Sequence, residues 1–118
     1  MSVELLACES CGGSDRDERG LTRGQRLIEQ LRSLGSDVRG TRCLWNCQRS
    51  CSVHVRGTGR SGYVIGDLEP SLEMAQALLD WTQLYAASAD GAVPFKTWPQ
   101  LMRGHFVCRI PAPPEEPK

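Results

Sequence analysis

The chain alternates short apolar runs with polar gaps, and the spacing inside each run changes along its length. Ser2 to Ala7 is a short apolar run that predicts a first strand leading straight into Cys8-Glu9-Ser10-Cys11-Gly12-Gly13, which puts the first cysteine pair on a loop. Residues 14–20 have no apolar periodicity and read as a solvated continuation of that loop. Leu27, Ile28, Leu31 and Leu34 then recur at helical spacing. Thr22 followed three positions later by Gln25 forms a capping box, and Gly35 supplies the stop.

Asp37 to Thr41 is short enough to be a second strand, returning beside the first through a right-handed crossover. Ser52 to Arg56 alternates apolar and polar side chains, residues 57–62 have turn chemistry, and Tyr63-Val64-Ile65 resumes an extended run, so a hairpin is predicted. Pro70 suits the first turn of a second helix, whose stripe is Leu72, Ala75, Leu78, Leu79, Thr82 and Tyr85, ending near Gly91. Beyond it, Pro94 and Pro99 break regularity, and Phe95, Trp98, Leu101 and Phe106-Val107-Cys108 are expected to cap the core. The order β-α-β, β-hairpin, α predicts an α/β fold of thioredoxin-like kind, a small mixed sheet with helices packed against it. One domain is expected over residues 1–110, with 111–118 a flexible Pro/Glu tail.

Composition adds little to this picture. A hydrophobic content of 40% and a charged content of 24% are ordinary for a globular domain. No run approaches a spanning helix, and Met1 to Ala7 lacks a basic start or cleavage site, so no membrane association and a cytoplasmic location are expected. Formal net charge is zero, yet residues 16–60 hold ten arginines against Asp17, Glu18, Glu29 and Asp37. Such a surface suits an acidic protein partner. Nucleic acid is not expected, because only Trp45 precedes Tyr63 in the basic region and no stacking platform is visible.

Chemistry concentrates in the cysteines. Five of the six form two groups, Cys8/Cys11 and Cys43/Cys47/Cys51. In a reducing compartment clustered thiols are more often metal-binding or redox-active than structural staples. Two pairs on two loops suit a binuclear iron–sulfur site, and a βαβ crossover would deliver both loops to one end of the sheet. Soft sulfur ligands also suit zinc, for which Cys8-Glu9-Ser10-Cys11-Gly12 has the knuckle spacing, although the C-x3-C-x3-C group is not a second knuckle. A third reading makes Cys8 and Cys11 a redox dithiol. Against it, about ten polar residues separate Cys11 from the helix, and no proline lies between Cys43 and Tyr63 to serve as a cis-proline.

The segment Cys43-Leu44-Trp45-Asn46-Cys47-Gln48-Arg49-Ser50-Cys51-Ser52-Val53-His54-Val55, followed by Gly62-Tyr63-Val64, resembles the thioredoxin-like [2Fe-2S] ferredoxins, with their C-L-x-x-C motif, strand, glycine-containing turn, aromatic and second strand. The resemblance covers residues 37–79 well and the amino-terminal part loosely. It implies a [2Fe-2S] cluster on Cys8, Cys11, Cys43 and Cys47, and it leaves room for a homodimer. Cys51 stands where that family usually has proline, as a fifth or replacement ligand. The whole chain also resembles a small bacterial family described only as predicted metal-binding proteins, sometimes linked with cobalamin-related genes.

The other features have ordinary readings. His54 lies between Val53 and Val55 and is expected to face away from the core, while His105 and Cys108 have no partner group nearby in sequence. The glycines of 57–62 lack the strand-to-helix setting of a phosphate loop, and no nucleophilic triad stands out. The expected function is therefore non-enzymatic: a small electron carrier with a [2Fe-2S] cluster serving a redox partner protein. The alternative is a zinc or other metal-binding module of a metallocofactor pathway.

Overall fold

Alternation in the first apolar run sends Leu5 and Ala7 into the core and leaves Glu4 and Leu6 half-buried on the opposite sheet face. The computed structural model describes residues 3–10, 15–44 and 51–112. Strand β1 (Val3–Cys8) includes Cys8 as its last residue, buried, so the first cysteine belongs to the strand and not to the loop expected from sequence. Cys11, Cys47 and the tail residues 113–118 lie outside the described residues.

Helix α1 (Arg23–Ser33) starts where the capping box places it. Thr22 Oγ1 accepts from the Gln25 N–H at 3.0 Å, and Gln25 Oε1 accepts from the Thr22 N–H at 2.9 Å. Leu27, Ile28 and Leu31 are buried, and the chain leaves through Gly35 at φ +92°, a conformation glycine adopts without a Cβ clash. The solvated stretch before the helix is held by local bonds: Asp17 Oδ1 accepts from the Arg19 and Leu21 N–H groups.

Strand β2 (Arg39–Thr41) pairs parallel with β1, completing the crossover. The hairpin follows as β3 (Val53–Gly57) and β4 (Gly62–Ile65), with β3 antiparallel to β1. Phe106–Ile110 is a fifth strand, β5, antiparallel to β4 with an irregularity at Val64/Ile65. The residue pattern predicts only a core cap there. The sheet order is β2-β1-β3-β4-β5, and the β-α-β, hairpin, α arrangement expected from the sequence is the one found.

Helix α2 (Leu72–Ala87) is capped by Ser71, whose hydroxyl accepts from the Met74 N–H, so Pro70 precedes the cap and is not in the first turn. Its buried face is Met74, Ala75, Ala77, Leu78, Trp81 and Tyr85, rotated from the expected stripe: Leu72 is 53% exposed and Leu79 and Thr82 are half-buried. The aromatic rings set this rotation. Trp81 stacks on Tyr85 with centroids 5.5 Å apart and meets Tyr63 of β4 edge-on at 5.0 Å. Burying two large rings outweighs burying Leu72. The helix ends against the hairpin turn, where buried Arg60 donates to the Ser88 carbonyl at 2.8 Å and the Ala86 carbonyl at 3.0 Å. Two short 3-10 turns, Phe95–Thr97 and Gln100–Met102, lead into β5, and Trp98 and Met102 pack on the core while Phe95 and Leu101 stay exposed.

Thr22 caps α1 and also donates its hydroxyl proton to the Glu9 carbonyl. Thr22→Ala should therefore cost about 1–2 kcal/mol in urea unfolding, in the upper part of the usual range for a lost cap. Thr22→Ser should retain most of the stability; equal losses for the two substitutions would remove the hydroxyl from the explanation.

Candidate metal centre

Strand register gathers the thiols. Cys8 is opposite Thr41 in the parallel pair, and the Glu9 N–H donates to the Thr41 carbonyl at 2.8 Å, so Cys43 stands two residues past the partner of Cys8. On the other flank, the Cys8 N–H donates to the Ser52 carbonyl at 3.0 Å, placing Cys51 one residue from that contact. Cys51 is fixed in turn by reciprocal 3.2 Å backbone bonds with Leu68. Three cysteines are thus carried at one end of three neighbouring strands, β2, β1 and β3, by hydrogen-bonded backbone.

Their settings differ. Cys8 and Cys51 are buried and Cys43 is exposed. Cys8 Sγ lies 3.6 Å from Ser10 Oγ and 4.0 Å from the Arg42 carbonyl, two polar neighbours able to orient a sulfur. Burial pushes the Cys51 thiol up to about 11, while a hydrogen bond from Arg23 and the charges of Arg23 and Arg26 pull the other way. The thiol of Cys51 also senses Cys8 electrostatically.

Arg23 and Arg26 open α1, where the positive end of the helix dipole ordinarily favours acidic side chains; the first turn has none. Asp15 bridges both guanidiniums, at 3.5 Å from Arg23 and 3.3 Å from Arg26. Cys51 therefore feels both burial, which disfavours its thiolate and prevails, and two arginine charges at the start of α1, which favour it; positive charge of this kind would offset a net negative metal–thiolate centre. Soft sulfur on backbone fixed at strand ends, with positive charge near Cys51, is the kind of donor that a metal–thiolate centre takes. Sequence reasoning passed over these two arginines, although two cations in the first turn of a helix with a proper N-cap were an anomaly that could have marked them.

Of the four cysteines expected as ligands, Cys8 and Cys43 are brought to the same end of the sheet, and Cys11 and Cys47 lie outside the described residues. Among the described residues, no group of three or more Cys, His, Asp or Glu is closed up in metal-holding geometry. Cys108 pairs with Val64 on β5, three strands from β1, so about 14 Å of sheet separates it from the Cys8 strand. His54 lies on the outward sheet face, its pKa lowered by burial and by Arg56, and His105 Nδ1 sits 3.0 Å from the Gly66 carbonyl. No described helix is long and apolar enough to cross a membrane.

Fold and site together define a small mixed α/β protein that carries cysteines at one end of its sheet. The chain belongs to the family described as protein of unknown function (DUF1636), which matches residues 5–112. No curated protein and no solved structure matches it.

The Cys51 environment predicts a pH dependence in metal-free protein. The unfolded thiol loses its proton near pH 9 and the folded one near 11, so the buried neutral thiol stabilises fully below about pH 9 and that contribution fades as pH rises toward 11. Wild-type protein should lose more denaturant resistance across this window than Cys51→Ala. Parallel curves would contradict the assignment.

Proposed function

We propose that the protein is a small iron–sulfur electron carrier, with a [2Fe-2S] cluster held by Cys8, Cys11, Cys43 and Cys47 and a redox partner protein that performs the catalysis. The observation that carries this reading is the β1–β2 register, which sets Cys8 and Cys43 at one end of adjacent parallel strands. The likeness of Cys43 to Val64 to the thioredoxin-like [2Fe-2S] ferredoxins supports it. When bound, the cluster supplies one-electron redox chemistry. The chain's own part is electrostatic and mechanical. Arg23, Arg26 and the α1 N-terminus offset negative charge, Ser10 and the Arg42 carbonyl orient Cys8, and the buried flank at Cys51 limits water. Exposed Cys43 marks the side on which a partner could approach closely. An acidic partner would meet an arginine-rich half whose guanidiniums are partly taken up by Glu4, Asp15, Asp17 and Glu29, and the cytoplasm is the expected compartment.

Protein expressed and purified without oxygen should be red-brown, absorb in the visible, and hold about two irons and two sulfides per chain. Cys8→Ser and Cys43→Ser should each strip most of that iron while leaving far-ultraviolet circular dichroism unchanged. A colourless product with stoichiometric zinc would replace this reading with a zinc module. Metal-free protein with Cys8 and Cys11 cycling as a disulfide would replace it with the dithiol.

A further inference from the structure

The arginines that make the chain look basic are largely engaged. Arg19 is paired with Asp17 and Glu29, Arg23 and Arg26 with Asp15, and Arg39 and Arg56 share Glu4. A surface of opposite character lies along the outer side of α2. There a groove of about 550 Å³ runs between the helix and the 3-10 turn at Gln100–Met102, with Leu34 at its margin. Its apolar contacts are Leu72, Leu101 and Leu34, exposed by 53%, 48% and 38%, and Glu73 and Asp80 line it with no Lys or Arg among the lining residues. Neither carboxylate is in an ion pair among the described residues; Asp80 only accepts from Gln76 Nε2 at 2.9 Å.

We propose that this groove is a docking site for a basic, amphipathic segment of another protein, one with apolar side chains at helical spacing flanked by Lys or Arg. Leu72 and Asp80 are eight residues apart on α2, about 12 Å, which is two turns of a docked helix. Exposed leucines converging on one groove are the usual mark of an interaction surface, and the acidic lining specifies the sign of the partner. Other occupants fit worse. A second copy docked about a two-fold axis would set this acidic patch against the same patch of the other copy. Anionic membrane surfaces and nucleic acid would be repelled by the same carboxylates. The site is independent of whatever the thiols hold.

The test uses the isotope-labelled full chain and two synthetic helical peptides sharing one leucine face, flanked by lysines in one and glutamates in the other. The lysine peptide should shift the amide signals of residues 72–80 and 100–101, and the glutamate peptide should bind far more weakly. Raising salt from about 0.05 to 0.5 M should weaken the lysine peptide on the unaltered protein. The double variant Glu73→Lys/Asp80→Lys should lose about tenfold in affinity for it and gain affinity for the glutamate peptide. The proposal is overturned by equal binding of both peptides, by binding of neither, or by shifts confined to the outward sheet face. It is also overturned if sedimentation shows self-association that Leu72→Ser abolishes, because the groove would then serve a second copy.

Discussion

The parallel pairing of β1 with β2 is the constraint from which the rest of the molecule follows. Two parallel neighbours must be joined by a crossover, and here the crossover is α1, whose N-terminus therefore returns to the end of the sheet where β1 finishes. The Thr22 hydroxyl fixes that return by donating to the Glu9 carbonyl, one residue past Cys8. A single residue thus starts the helix and ties its positive end to the strand that carries the first thiol. Antiparallel β3 closes the other side of β1 and brings Cys51 to the same end from the opposite chain direction.

Gathering thiols at a helix N-terminus has an electrostatic consequence that strand register alone would not supply. Arg23 and Arg26 oppose the α1 dipole, an arrangement that weakens an isolated helix and is stable here because Asp15 bridges both guanidiniums. On Cys51 burial raises the pKa while the charges of Arg23 and Arg26 lower it, and desolvation prevails. Cys43 is exposed beyond β2. The three thiols at this end of the sheet thus differ in exposure, Cys8 and Cys51 being buried and Cys43 accessible.

Local signals were legible in the residues, and signals that depend on competition between distant groups were not. The capping box at Thr22 and Gln25, the Gly35 stop and the 57–62 turn are short-range chemistry, and each appears where the sequence puts it. The α2 stripe failed because periodicity weighs Leu72 like any other apolar residue, whereas the rings of Trp81, Tyr85 and Tyr63 fix the rotation by packing across the core. β5 was hidden for a related reason: Phe106 packs inward beside Trp81 and Trp98, but Val107 to Ile110 are exposed, and strand formation there depends on the open edge of β4. For the site, the crossover argument located the strand ends correctly. It gave no hint that Cys8 itself belongs to the strand or that Arg23 and Arg26 act on the Cys51 thiol.

The same competition explains why the two charged regions of the molecule differ in what they can recruit. Glu4 bridges Arg39 and Arg56 across three strands, with its carboxyl held below the usual range by those guanidiniums, and Arg19 is clamped between Asp17 and Glu29. Any acidic partner would have to displace these intramolecular carboxylates, so much of its Coulomb gain would be offset before binding began. Glu73 and Asp80 offer no such internal competition, and they border leucines that the rotation of α2 left outside the core. The packing preference of two aromatic rings thereby leaves an apolar groove bordered by carboxylates without ion-pair partners among the described residues, and sequence composition, read as a net charge of zero, conceals it.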